Sequence, residues 1–141
     1  MNKRETIVEH IFNLLKSQRT VKLGKVDRDP IIPEELPRTG FPAAFIQTTD
    51  EDIEDLSVGG LRNAVMSCNI VVYVNGESRD KQRNIAVSAI EDTLMADRSL
   101  ENRVRDISLT RVESIELGEA APYASFRMIF TIEYCYNLTE E

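Results

Sequence analysis

The chain carries a single histidine, His10, and only two cysteines, Cys68 and Cys135. One imidazole leaves few partners for an activated nucleophile, and no serine sits in a G-x-S-x-G turn. His10 falls mid-helix beside Glu9, off the apolar stripe, where an ordinary surface histidine belongs. Both cysteines lie inside apolar segments with no ligand at metal-binding spacing nearby, so they read as buried free thiols filling core volume. A disulfide would need their strands to be neighbours with matched geometry, in an oxidising compartment. Long basic runs are also missing: 17 Lys and Arg face 24 Asp and Glu, for a net charge of −7. Nucleic-acid backbones and anionic membranes both reward clustered cations, so neither is expected as the main partner. No apolar run approaches the length of a membrane span. The opening MNKRETIVEH lacks a signal-peptide hydrophobic region, so synthesis in the cytoplasm is the expectation.

What is present fits one ordinary globular unit. The 141 residues suffice for one core, and 42% hydrophobic with 29% charged residues argues against global disorder. A single domain over residues 1–141 is expected. Its organising stretch is residues 63–97. Met66, Cys68, Ile70, Val72 and Val74 alternate with Ser67, Asn69, Val71 and Tyr73, a period of two rich in β-branched and aromatic residues. Asn75-Gly76 closes that strand. The spacing then becomes helical over residues 78–96, with Ser78 as cap and Ala86, Val87, Ile90 and Leu94 on one stripe.

Other elements follow in order. Residues 2–18 predict a helix with adjacent apolar lines, Ile7, Ile11, Leu14 and Val8, Phe12, Leu15. Residues 21–26 form a short edge strand whose lysines discourage further pairing. Residues 28–42 hold four of the five prolines and predict a stiff, extended surface arm. Within it Ile31, Ile32 and Pro33 carry two readings: the isoleucines plug onto the edge of the chain's own core, or this stretch docks on a neighbouring subunit. FPAAFIQT, residues 41–48, predicts a strand with Phe45 and Ala43 inward. Asp50, Glu51, Asp52, Glu54 and Asp55 follow. They fail the calcium-loop spacing, so a solvated loop or one helical turn is expected, ending in a bend at Gly59-Gly60 before Arg62. The two glycines make no phosphate cradle, since no Lys-Ser or Lys-Thr follows. Residues 107–117 predict a strand whose alternation breaks near Arg111, as a bulge would break it. The last strand, residues 125–136, sets Phe126, Met128, Phe130, Ile132, Tyr134 and Tyr136 on one face. Glu113 and Glu133 are expected to pair with Arg111 and Arg127 on the wet face. Tyr73, Tyr123, Tyr134 and Tyr136 read as core or interface aromatics.

The order α-β-β-β-α-β-β predicts an α+β fold: a mixed, mainly antiparallel sheet with two main helices packed on one face. No catalytic constellation emerges, and neither an enzyme activity nor a cofactor or metal is expected.

The order and spacing of several segments resemble the tail-terminator, or tail-completion, proteins of long-tailed bacteriophages. The resemblance runs from the amphipathic first helix through FPAAFIQ, NIVVYVN and a helix ending in LMADRSLENRV. It closes with RVESIELGEAAPYASFRMIFTIEYCY. It implies a structural virion protein of the tail, typically six copies in a ring, that stops growth of the tail tube and joins it to the head side. The implied partners are further copies of the chain, the tail tube protein and neck or connector proteins, with no membrane and no cofactor. An acidic lumen would let DNA pass without specific binding. Ring subunits need unlike surfaces that meet head to tail. The arm and the acidic segment, through Ile31, Ile32, Pro33, Asp50, Glu51, Asp52 and Arg62, are the candidate subunit interface. The alternatives are a neck or head-closure protein of the same particle, and a non-viral α+β ligand-binding regulatory module.

Overall fold

A computed structural model describes residues 3–18, 23–32, 35–37, 40–75, 79–115 and 123–138. Among the described residues two helices, α1 (Lys3–Ser17) and α2 (Arg79–Met95), accompany five strands. The strands are β1 (Lys25–Asp27), β2 (Ala43–Asp55), β3 (Leu61–Asn75), β4 (Asp106–Ile115) and β5 (Tyr123–Asn137). They form one sheet in the order β1-β2-β3-β5-β4. Only β1 runs parallel to its neighbour; the other pairings are antiparallel. The expected element order and the mixed, mainly antiparallel α+β architecture are both present.

β3 and β5 are the spine. They pair over their whole length, from Leu61 opposite Asn137 to Asn75 opposite Tyr123. The period of two puts Met66, Cys68, Ile70, Val72 and Val74 beside Phe126, Met128, Phe130, Ile132, Tyr134 and Tyr136, all buried. Both helices cover this face. α1 contributes Ile7, Ile11 and Leu15, four apart on one stripe, with Val8 three residues before Ile11 beside them; α2 contributes Ala86, Ile90 and Leu94. Each fully buried Ile, Leu, Met or Phe stabilises the fold by about 1.5–3 kcal/mol relative to exposure. A bulge does break β4: Leu109 faces Phe130 but Arg111 faces Ile129, leaving Thr110 as the extra residue.

The opposite face is covered differently. The described residues of the 28–42 range do not run out as an extended arm. Turns close from Glu35 N–H to the Ile32 carbonyl and from Gly40 N–H to the Pro37 carbonyl. Ile31 and Leu36 thereby lie against one end of the sheet. Ile31 is buried there with Ala43, Phe45 and Val71, and Leu36, Tyr73 and Ile115 pack around them. Ala43 and Phe45 are therefore inward, but under the arm, while Ala44 and Ile46 face the helices. Tyr73 meets Tyr123 edge-on at 6.1 Å, and Tyr123 stacks with Phe41 at 6.0 Å.

The reversal between α2 and β4 is built from residues without a glycine. Leu100, Glu101 and Asn102 all adopt positive φ. Left-handed backbone is disfavoured for residues with a Cβ. Asp97 holds the turn by accepting from Ser99 N–H, Ser99 Oγ and Glu101 N–H, and these bonds keep its carboxyl below the usual range. Leu100 drops its side chain into the core in return.

Candidate interaction surface

The acidic segment is a strand, not a solvated loop or a helical turn. β2 continues to Asp55, and only residues 56–60 connect it to β3. Asp and Glu are poor strand formers. Here the ladder with β3 overrides that preference, pairing Glu51 with Met66 and Asp55 with Arg62. Leu56 N–H donates to the Leu61 carbonyl at 2.9 Å to close the hairpin. Gly60 takes a φ of 94°, left-handed backbone that suits glycine, and its carbonyl accepts from Leu138 N–H.

A bulge sorts the acids. Thr48 faces Cys68 and Glu51 faces Met66, so Thr49 and Asp50 both stand against Ser67. The extra residue reverses the alternation and turns Glu51 toward the helices. Its carboxylate accepts from Arg4 Nε at 2.5 Å and from the Tyr134 hydroxyl at 2.7 Å. Arg4 also lies 5.2 Å from the Tyr136 ring centre, within cation–π range. Glu51, grouped with Asp50 and Asp52 by sequence, is thus an internal tie between α1 and the sheet. Asp55 and Arg62 pair at 2.8 Å. Hydrogen bonding to Tyr136, and then to Asp55, raises the Arg62 guanidinium above its ordinary value. Asp50, Asp52 and Glu54 are exposed, and none of them has an ion-pair partner among the described residues.

Apolar side chains gather at the same end. Seven large hydrophobic residues are exposed among the described residues: Ile32, Ile53, Leu56, Val58, Leu61, Ile85 and Leu138. Five of these belong to the β2–β3 hairpin end and the end of β5 that docks on it. Val58 at the tip has no cover at all. A concentration of this kind, rimmed by charge, marks an interaction site far better than isolated exposed residues do.

Of the two readings of the arm, the structure shows the first for Ile31. Ile31 anchors on the chain's own sheet, whereas Ile32 is 55% exposed. Pro33 lies outside the described residues. Arg28 ties the start of the arm to α1, donating to both oxygens of Glu5 at 2.6 and 2.9 Å and to Glu9 at 2.7 Å. Arg28 correspondingly lowers the Glu5 carboxyl, while Glu5, then Glu9, raise the Arg28 guanidinium.

A polar recess of about 280 Å³ lies between α1 and β2 and is lined by Arg4, Glu5, Arg28, Thr48, Thr49 and Glu51. Its charged groups are bonded to one another, as the distances above show. No cluster of three His, Cys, Asp or Glu capable of holding a metal occurs among the described residues. Cys68 is buried, and burial pushes its thiol up to about 12. Cys135 is half-buried rather than buried and sits 3.4 Å from Asn63 Oδ1, on the opposite face of the sheet from Cys68. Glu113 stands 3.9 Å from both Arg111 and Arg127, while Glu133 pairs with Arg105 instead.

No protein-family model matches the chain, and no curated protein does. Among solved structures it is similar to a chain described as "Virion of native gene transfer agent (GTA) particle". That match has 14% identity and a TM-score of 0.49, over 87% of this chain and 90% of the other. No helix of the described residues is long and apolar enough to cross a membrane.

Sequence reasoning missed the apolar tip and the Arg4–Glu51–Tyr134 tie. The signal for the first was present: Ile53 lies among the acids that drew attention, and Leu56, Val58 and Leu61 follow directly after them. Nothing local signalled the second, because its partners are 47 and 83 residues apart.

Proposed function

We propose that this chain is a structural virion protein, a ring-forming terminator that ends growth of a long tail tube and joins the tail to the head side. The observation that carries the reading is the hairpin end, where exposed Ile53, Leu56, Val58, Leu61 and Leu138 sit beside Asp50, Asp52 and Glu54, which have no ion-pair partner among the described residues. Such a surface is built to be covered by protein. The resemblance in segment order to tail terminators supplies the biological setting. In this reading the copies, typically six, form a ring that contacts the tube protein below and neck proteins above. Its acidic lumen passes DNA without gripping it. The chain works by shape, with no reaction and no cofactor.

Electron microscopy of particles lacking this protein tests the assignment. Overlong tails are the expected result. Tails of normal length that fail to attach to heads would instead place the chain in the neck. Normal particles would refute both positions.

A further inference from the structure

We infer that neighbouring copies join by sheet-edge pairing, β4 of one copy running antiparallel to the far half of β2 in the next. The inference deepens the ring reading and rests on it. β4 ends the sheet on one side. On the other side, β1 covers only Ala43–Phe45 of β2. The Arg28 side chain lines the recess at Thr48 and Thr49. Past the bulge no strand pairs with the outer edge of β2 among the described residues, as far as Asp55. Bare strand edges present unpaired N–H and C=O groups that accept a further strand.

Direction and charge select the partner. β2, β3, β5 and β4 alternate in direction, so β4 is antiparallel to β2. Copies standing in the same sense around an axis therefore bring β4 beside β2 in an antiparallel ladder. Asp52 is opposite Val65 and Glu54 opposite Asn63, which places both on the helix-free face. Two β2 edges meeting each other would set these like-charged carboxylates together, which disfavours a two-fold dimer through this edge. The β4 edge offers the opposite sign on the same face. Arg111 has a side chain 69% exposed and is 3.9 Å from Glu113, and Arg105 has one 60% exposed and is 3.4 Å from Glu133. Asp106, by contrast, is neutralised by Arg98 through bonds of 2.8 and 2.9 Å. Opposite charges thus meet only when unlike edges meet, and a contact between unlike surfaces makes a ring when its rotation closes.

Charge exchange tests this. Asp52→Lys with Glu54→Lys inverts one edge; Arg105→Glu with Arg111→Glu inverts the other. Sedimentation and light scattering would read the mass of each variant, and thermal melts would show that each is folded. The expected result is a wild-type ring and, for each single-edge variant, association weakened by about tenfold or more. Rings return in a one-to-one mixture of the two variants and in the chain carrying all four substitutions. Rings of wild-type stability in either single-edge variant overturn edge pairing and leave the ring reading standing. Failure of both the mixture and the fourfold variant to reassemble overturns edge pairing as well. A wild type that stays monomeric at high concentration overturns both.

Discussion

The two faces of the sheet use the same strands and are finished by different means. Facing the helices, β3 and β5 present an unbroken apolar layer from Met66 to Val74 and from Phe126 to Tyr136. Facing away, the intervening residues are mostly half-buried and polar: Ser67, Asn69, Arg127, Thr131 and Glu133. The arm covers only the end near Phe45, Val71 and Tyr73. Buried Asn69 Oδ1, Ser125 Oγ and Arg127 Nε on that face lack a hydrogen-bond partner among the described residues. A buried polar atom without a partner costs stability that a fully apolar layer does not lose. The helix-covered face holds the chain together, while the other face, the strand edges and the hairpin end are exposed to a greater degree.

The largest effect should come from the helix-covered face. Phe130→Ala removes a fully buried ring and should cost about 3–5 kcal/mol in chemical denaturation. A loss under 1 kcal/mol would show that this layer does not dominate. Ile31→Ala, on the arm side, should cost less, about 2 kcal/mol, because its site lies at the end of the sheet and relaxes more easily. Equal losses for the two variants would erase the distinction between the faces. Glu51→Gln weakens the tie to Arg4 and Tyr134 inside the helix-covered layer. The expected loss is about 1–2 kcal/mol, read by the same titration.

Acid should act next. Hydrogen bonds lower the carboxyls of Asp97, Asp27 and Glu5, and Arg98 lowers that of Asp106. A carboxyl depressed in the folded chain stabilises it above the unfolded value, and the gain disappears as pH falls through the folded value. Melting temperature should therefore be flat near neutrality and fall below about pH 4. Asp97→Asn should flatten that fall; an unchanged acid limb would remove Asp97 from the account. Smallest is Ile32→Ser, within about 0.5 kcal/mol of wild type because the side chain is exposed.

Much of the helix-covered face was legible because its signal is periodic. β3, β5 and α2 repeat every two or four residues, and even the β4 bulge announced itself where Val112 broke the alternation. The other face was not, because Ile31 reaches Phe45 and Val71 through a folded proline segment with no period to read. The hairpin was hidden for a third reason. Its acids argue against a strand locally, and only the long ladder with β3 makes one. Of the candidate contact residues, Ile32, Asp50 and Asp52 are exposed as the interface reading needs. Ile31 and Glu51 turn inward for reasons that depend on distant partners.

The most direct test of a subunit built to meet its own copies is mass in solution. Wild type and a variant with Leu56→Ser and Val58→Ser at the hairpin tip would be measured side by side across a concentration series. The account predicts a closed ring of a single size for the wild type and smaller species for the folded variant. Identical masses for the two, or a wild type that remains a single chain throughout, would contradict it.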